Sequence, residues 1–364
     1  MKILSLQLEN FRNFKKLSLS PAPYNLISGF NGTGKTSILE SIYFALNGRS
    51  FRESSISRLI RNESSTAFVE LILNTDTGKQ EIRFQLSPAK RFSHNGQKIR
   101  KMSQFYSLYP VIYFGRESLD LFRSGPKVRR HFLDSGYAKA SSIHLRCCQQ
   151  YKKLIQMKNQ FLQQNIRKKE FLYLRGLNEQ IAKIAARLVF GRLQFMLALE
   201  QYCARIITGF TLKFRYFSSF NAKFGDCQAA LCSDCQQKLD EFSERELQRG
   251  HSLVGPHRDN FDIYLNGKSV TNFASTGQCK WVVLALNSAF ASFLKDKMNK
   301  PPIWLLDDLM GDLDNNSLKM FASWIDPASQ VMLTILPQYL NQLFLHNFNF
   351  DGGLWHKHCL ESLK

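Results

Sequence analysis

One run of eight residues, Gly29-Phe30-Asn31-Gly32-Thr33-Gly34-Lys35-Thr36, constrains this 364-residue chain more than any other feature. It follows a short apolar run, Tyr24 to Ser28, and precedes a stretch whose Ile38, Ile42 and Ala45 share one helical face. Strand, glycine-rich loop and helix in that order form a phosphate cradle. Glycines let successive backbone N–H groups curl around an anion, and the helix N-terminus adds partial positive charge. All eight residues are therefore expected to contact a nucleotide. Lys35 is expected to reach the β- and γ-phosphates, and Thr36 to ligand Mg²⁺.

A second motif supports the first. Ile303-Trp304-Leu305-Leu306 reads as an apolar strand that ends in Asp307 and Asp308, the Walker B arrangement. Asp307 is expected to hold Mg²⁺ through water, and Asp308 to orient or deprotonate the attacking water. Lys35, Asp307 and Asp308 are the expected catalytic residues, with ATP and Mg²⁺ as cofactors. A third element is Ser275-Thr276-Gly277-Gln278, directly before an apolar helix at 281–294. Ser275, Gly277 and Gln278 make another anion-seeking helix start. Two such helix ends in one chain suggest that one of them serves the nucleotide of a second subunit.

Charge points to the partner. Lys and Arg number 49 against 29 Asp and Glu, a net of +20. Residues 1–200 hold 33 basic and 13 acidic side chains, whereas 201–364 hold 16 of each. An excess of this size and asymmetry indicates a polyanion, either nucleic acid or an anionic membrane surface. The longest uncharged stretch, Trp281 to Leu294, is broken by Asn287, Ser288 and Ser292. It is shorter than the ~20 apolar residues a span requires. The first nine residues lack the apolar run of a signal peptide. A cytoplasmic protein with no membrane segment is expected.

Strand patterns occupy the first ~30 residues and 66–92, with a turn at Asp76-Thr77-Gly78. Residues 127–205 read as helical and hold 16 basic and 4 acidic side chains, a net of +12. There Leu177, Ile181, Ile184, Leu188, Phe195 and Tyr202 form one stripe, and Leu154, Met157, Phe161 and Ile166 an opposing one, with a turn near Arg167-Lys168-Lys169. From about Gly250 strands return: Phe261 to Leu265 alternates and Asn266-Gly267 makes a hairpin turn. The expected fold is therefore α/β, an ATPase head built from both termini with an inserted, mainly helical lobe. The expected boundaries are 1–125 and 250–364 for the head and 126–249 for the lobe. Cys227, Cys232 and Cys235 cluster with His251 nearby, but a zinc site takes four ligands and no second pair follows. The cysteines are read as free thiols, and the 30 phenylalanines as core.

The order P-loop, helical insertion, Ser-x-Gly-Gln, Walker B resembles that of ABC-type ATPase heads. At this length the chain resembles the RecF family of that group. The resemblance is carried by Asn10-Phe11-Arg12-Asn13-Phe14, the P-loop, Gly48-Arg49-Ser50-Phe51-Arg52, and the run Ser124-Gly125-Pro126-Lys127-Val128-Arg129-Arg130-His131-Phe132-Leu133-Asp134. Leu253-Val254-Gly255-Pro256-His257-Arg258-Asp259 and the Walker B run complete it. It implies an ATP-dependent DNA-binding protein of recombinational repair, with weak DNA-stimulated ATPase activity. Such a protein acts on duplex DNA and single/double-strand junctions and helps load recombinase with RecO and RecR. It also implies an ATP-dependent homodimer, each nucleotide held between one P-loop and the partner's copies of Ser275 and Gly277. The chain departs from the family pattern at Cys279-Lys280-Trp281, at Phe114-Gly115-Arg116-Glu117 and at Gly311-Asp312-Leu313-Asp314. Arg12 is placed either at the nucleotide or on an edge strand, and His257 and Arg258 either at a ligand or in a turn. Thr334 stands where ABC heads carry a γ-phosphate switch residue. The other class weighed is the nucleotide-binding subunit of a membrane ABC transporter.

Overall fold

The computed structural model describes residues 1–87, 90–102, 105–164, 171–309, 315–339 and 356–360. The chain divides into two units, Met1–Leu119 with Ser275–Lys364, and Asp120–Ala274. In chain order the first unit begins with β1 (Lys2–Phe11), β2 (Phe14–Leu19), β3 (Tyr24–Ser28) and α1 (Lys35–Asn47). It continues with β4 (Ala67–Thr75), β5 (Gly78–Leu86), β6 (Arg91–His94), β7 (Gln97–Lys98) and β8 (Val111–Phe114). The second unit holds α2 (Asp120–Arg123), α3 (Pro126–Ala140), α4 (Ser142–Leu162), α5 (Phe171–Ile206), β9 (Leu212–Phe217) and α6 (Gln228–Arg249). It closes with β10 (Asn260–Leu265), β11 (Lys268–Ser269) and α7 (Val270–Phe273). The first unit then resumes with α8 (Thr276–Met298), β12 (Ile303–Leu306), α9 (Asn315–Trp324), β13 (Val331–Ile335) and β14 (His356–Cys359).

Period-two alternation in the N-terminal strands has the expected result. They form an antiparallel sheet in the order β2-β1-β4-β5-β6-β7, with one buried face. Ile3, Leu6, Leu71, Leu73, Ile82 and Phe84 on that face join Ile38, Leu39 and Ile42 of α1 in one core. Of the unit's other strands, β3, β8, β12 and β13 are mainly apolar runs, as strands covered on both faces are, whereas β14 (His-Lys-His-Cys) is largely exposed. They form a parallel sheet in the order β14-β3-β13-β12-β8. Every residue of β3, β12 and β13 is buried. This order places β13 between β3 and β12, so three strand ends meet at one edge.

In the second unit α5 buries Leu177, Ile181, Leu188 and Phe195 as expected. The opposing stripe is corrected. On α4 the buried residues are His144, Cys147, Tyr151, Ile155, Lys158 and Leu162, while Met157 is exposed. The physical reason is Lys158, whose Nζ lies 2.6 Å from Glu246 Oε2 of α6 with both side chains fully buried. Ile166 and the expected turn at 167–169 lie outside the described residues. The second boundary also moves. Residues 250–274, expected in the head, pack with the second unit because β10 pairs antiparallel with β9 from Asn260↔Phe217 to Leu265↔Leu212. The lobe is thus helical with a small sheet, β11-β10-β9. Among the described residues its cysteines form no disulfide. Cys227 caps α6, Cys235 is buried, and among the described residues Cys227, Cys232 and Cys235 do not form a convergent set of metal-ligand atoms. Among the described residues no helix is long and apolar enough to cross a membrane.

Candidate nucleotide site

The glycine-rich loop turns where β3 ends. Gly34 sits at φ +108°, and a Cβ there would come within 2.6 Å of the side chains of Asn13 and Phe14. Backbone angle and crowding both demand glycine at that position. Asn13 Nδ2 donates to the Thr33 carbonyl at 2.9 Å and ties the β1–β2 turn to the loop. The Lys35 ammonium lies across the loop mouth, donating to the carbonyls of Gly29 at 2.7 Å and Phe30 at 3.0 Å. Burial lowers its pKa, while Asp308 and Asp307 act in the opposite direction. Gly29 is buried, Gly32 and Asn31 are exposed, and the Phe30 ring is 62% exposed.

The parallel strand order brings the Walker B acids to the same edge. Thr36 Oγ1 donates to Asp307 Oδ2 at 2.8 Å, joining residues 271 positions apart. Thr334 Oγ1, on the intervening β13, donates to Asp307 Oδ1 at 2.6 Å and accepts from the Asp308 N–H at 3.0 Å. Asp308 takes φ +48°, a left-handed turn that lifts its side chain out of the strand. Burial pushes the Asp307 carboxyl up. The hydroxyls of Thr334 and Thr36 pull it back, and Glu117 and Asp308 push it further up. An aliphatic hydroxyl beside one half-buried and one exposed carboxylate is a hard-oxygen set that suits Mg²⁺. Asp307 and Thr36 are adjacent, as two ligands of one cation must be.

Glu117 belongs to the same neighbourhood. Tyr113 at the end of β8 donates its hydroxyl to Glu117 Oε2 at 2.6 Å, and Arg52 Nε lies 3.4 Å from Oε1. Phe51 stacks on Tyr113 with ring centroids 3.6 Å apart. Sequence reasoning noted Glu117 only as part of a departing motif. Its signal was position, three residues beyond the strand beside Walker B. Thr334 is confirmed as adjacent to the acids, and its hydroxyl is engaged with both of them.

Ser275 forms a capping box at the start of α8. Its Oγ accepts from Gln278 N at 3.2 Å, and Gln278 Oε1 accepts from Ser275 N at 2.9 Å. Ser275, Gly277 and Gln278 are exposed, so this helix start faces solvent.

Other singled-out residues have internal roles. Arg12 grips buried Glu40 with two hydrogen bonds, 2.7 and 2.8 Å, and does not point outward. His257 Nδ1 pairs with the Tyr151 hydroxyl at 2.7 Å, and Arg258 donates to the Ser252 carbonyl at 2.8 Å. The two lobe motifs meet through a buried network. Arg192 holds Asp134 through two hydrogen bonds of 2.7 and 2.8 Å and donates to the Pro256 carbonyl, while Arg130 donates to the Asp259 carbonyl. Burial alone would raise the Asp134 carboxyl, but Arg192 brings it well below the usual range. The segment Gly311–Asp314 lies outside the described residues.

Residues 2–344 match the family model for the RecF/RecN/SMC N-terminal domain. A DNA replication and repair protein RecF from Staphylococcus aureus (strain JH9) is 30% identical over 343 residues, covering 92% of this chain and 93% of that protein. The chain belongs to the RecF family. A solved structure of the recombination mediator protein RecF-ATPrS in the RecFOR pathway superposes with TM-score 0.83 at 25% identity, over 92% of each chain. A second, of RecF-ATP in the same pathway, gives TM-score 0.86 at 24% identity over 94% of this chain and 93% of that one. An SMC head bound to the C-terminal winged-helix domain of ScpA shares the fold more distantly, with TM-score 0.54 at 18% identity over 95% and 92% of the two chains. The fold is accordingly that of an ABC-type ATPase head, and the match to RecF disfavours the transporter class. In this RecF-family chain the P-loop, Thr334 and the two Walker B acids form one hydrogen-bonded site.

Proposed function

We propose that the chain is an ATP-dependent DNA-binding protein of recombinational repair and replication restart, working in the cytoplasm. The observation that carries this reading is the bridge Thr36–Asp307–Thr334–Asp308 beneath a P-loop lysine. Bound ATP with Mg²⁺ supplies the phosphoryl group whose transfer to water drives the cycle. The residues do the positioning. Loop N–H groups from Gly29 to Gly34 and the α1 N-terminus cradle phosphate oxygens. Lys35 exchanges its two carbonyl partners for phosphate. Thr36 and Asp307 hold the metal, with Thr334 fixing the carboxylate's orientation. Asp308 accepts the proton of the attacking water.

Exposed Ser275, Gly277 and Gln278 suit capture of a second subunit's nucleotide, so the nucleotide favours the closed homodimer. Arg146, Lys152, Lys153, Lys183 and Arg187 are exposed on α4 and α5 and suit duplex phosphates at single/double-strand junctions. RecO and RecR are the proposed partners, by membership of the family. The test is duplex binding across a salt series, with and without ATP, for wild type and Lys35→Met. Stimulation by ATP that fails in the variant, on a steep salt slope, is expected. Salt-insensitive, ATP-independent binding would refute the reading.

A further inference from the structure

The solvent face of the antiparallel sheet carries a group of side chains that the nucleotide site does not use. The register sets Phe68 opposite Gln85, and Gln85 opposite Arg91. In the neighbouring row Arg83 lies between Glu70 and Ser93, and Ser93 faces Lys98. Alternate residues point to opposite faces. Val69, Phe84 and Phe92 are buried in the core, so the two rows project outward. Together they line an open cleft of about 480 Å³, within the ~300–1,000 Å³ of ligand sites.

The chemistry of the face is divided. Phe68 is 40% exposed, an aromatic ring at a position where a strand would ordinarily place a polar residue. Beside it Arg83 Nε is held 2.5 Å from Glu70 and 3.2 Å from Glu81, which fixes the guanidinium. Gln85 and Ser93 are half-buried neutral donors and acceptors. Arg91 and Lys98, toward the sheet edge, have no carboxylate partner among the described residues.

We propose that this face binds single-stranded nucleic acid, with bases stacked on Phe68 and the Arg83 plane, Gln85 and Ser93 meeting base edges, and Arg91 and Lys98 holding phosphates. Stacked platforms flanked by cations are how unpaired strands are held without sequence preference. A duplex hides its base faces from Phe68. An acidic peptide offers the ring no planar partner and meets Glu70 and Glu81. The proposal deepens the DNA-binding reading above, adding a surface for the unpaired strand at a junction.

The experiment uses the full chain without nucleotide, a labelled oligo-dT strand and a duplex of equal length. Phe68→Ala is expected to weaken oligo-dT binding about 5- to 10-fold, and Phe68→Tyr to restore it. Arg91→Ala/Lys98→Ala is expected to reduce the salt slope for the single strand by about 1.4, near 0.7 for each lost phosphate. Duplex affinity stays within about twofold in both cases. A 5-iodouracil-substituted strand is expected to crosslink to the peptide around Phe68. Unchanged oligo-dT binding by Phe68→Ala, equal losses for duplex, crosslinks confined to other segments, or displacement of oligo-dT by a polyglutamate peptide would each overturn the proposal. Failure of ATP to stimulate duplex binding by the wild type is a separate result and bears on the function proposed above.

Discussion

Replacing Thr334 by valine removes one hydroxyl and almost no volume. That hydroxyl is fully buried, donates to Asp307 at 2.6 Å and accepts from the Asp308 N–H at 3.0 Å. Asp308 is exposed, so water can satisfy its N–H. The cost therefore falls on Asp307, a carboxylate acceptor deprived of a charge-assisted donor, worth about 1.5–3 kcal/mol. Residues 120–274, the second unit, hold no tryptophan, so urea unfolding followed by tryptophan emission reports the ATPase unit alone. Thr334→Val is expected to lose about 2–3 kcal/mol at pH 7, and Thr334→Ser less than about 1 kcal/mol. The pH dependence adds a second check. The folded-state pKa of Asp307 is already raised by burial, and losing Thr334 raises it further. The ionised carboxylate thus costs stability above its unfolded value of 3.8, and that cost disappears as pH falls through the raised pKa. The valine deficit should shrink in acid. A variant within about 0.5 kcal/mol of wild type at pH 7, or a deficit constant with pH, would refute the bridge.

Two predictions concern the lobe. Lys158→Met leaves the buried Glu246 carboxylate without its cation and should destabilise by about 3–5 kcal/mol, while adding Glu246→Gln, whose amide oxygen still accepts from the Leu253 N–H and the Ser252 hydroxyl, should recover much of that loss in circular-dichroism melts; an equally unstable double variant would contradict the pairing. Burial lowers the His257 pKa to about 4 from 6.5. Its contribution is then complete above pH 6.5 and lost as pH falls toward 4, a change of at most ~3 kcal/mol. His257→Gln should flatten amide-exchange stability across that window, and an unchanged slope would show that another group titrates there.

The nucleotide site was legible because its signals are local. Gly29 to Thr36 must turn between a strand and a helix, and Ile303 to Asp308 must end a buried strand on acids. The ordering of the parallel strands was not legible, since β3 and β13 pair from opposite ends of the chain, Tyr24 against Val331. Thr36 therefore meets Asp307 across 271 positions, through a strand order that no local spacing records. The α4 stripe was misread for a different reason. Periodicity counts apolar residues, whereas Lys158 is buried through an ion pair with Glu246, 88 positions on. The boundary at 250 failed because strand pairing between β9 and β10 is non-local. Arg12 could be read either way until Glu40, 28 residues along and fully buried, supplied its partner.

The central claim is that one chain's P-loop and another chain's Ser275 hold the same nucleotide. Light scattering of wild type, Lys35→Met and Ser275→Arg, with and without ATP, tests it directly, with binding of a fluorescent nucleotide measured in parallel. ATP should convert the wild type from monomer to dimer. Lys35→Met should bind little nucleotide and remain monomeric, while Ser275→Arg should bind nucleotide and remain monomeric. ATP-dependent dimers of Ser275→Arg would contradict the account.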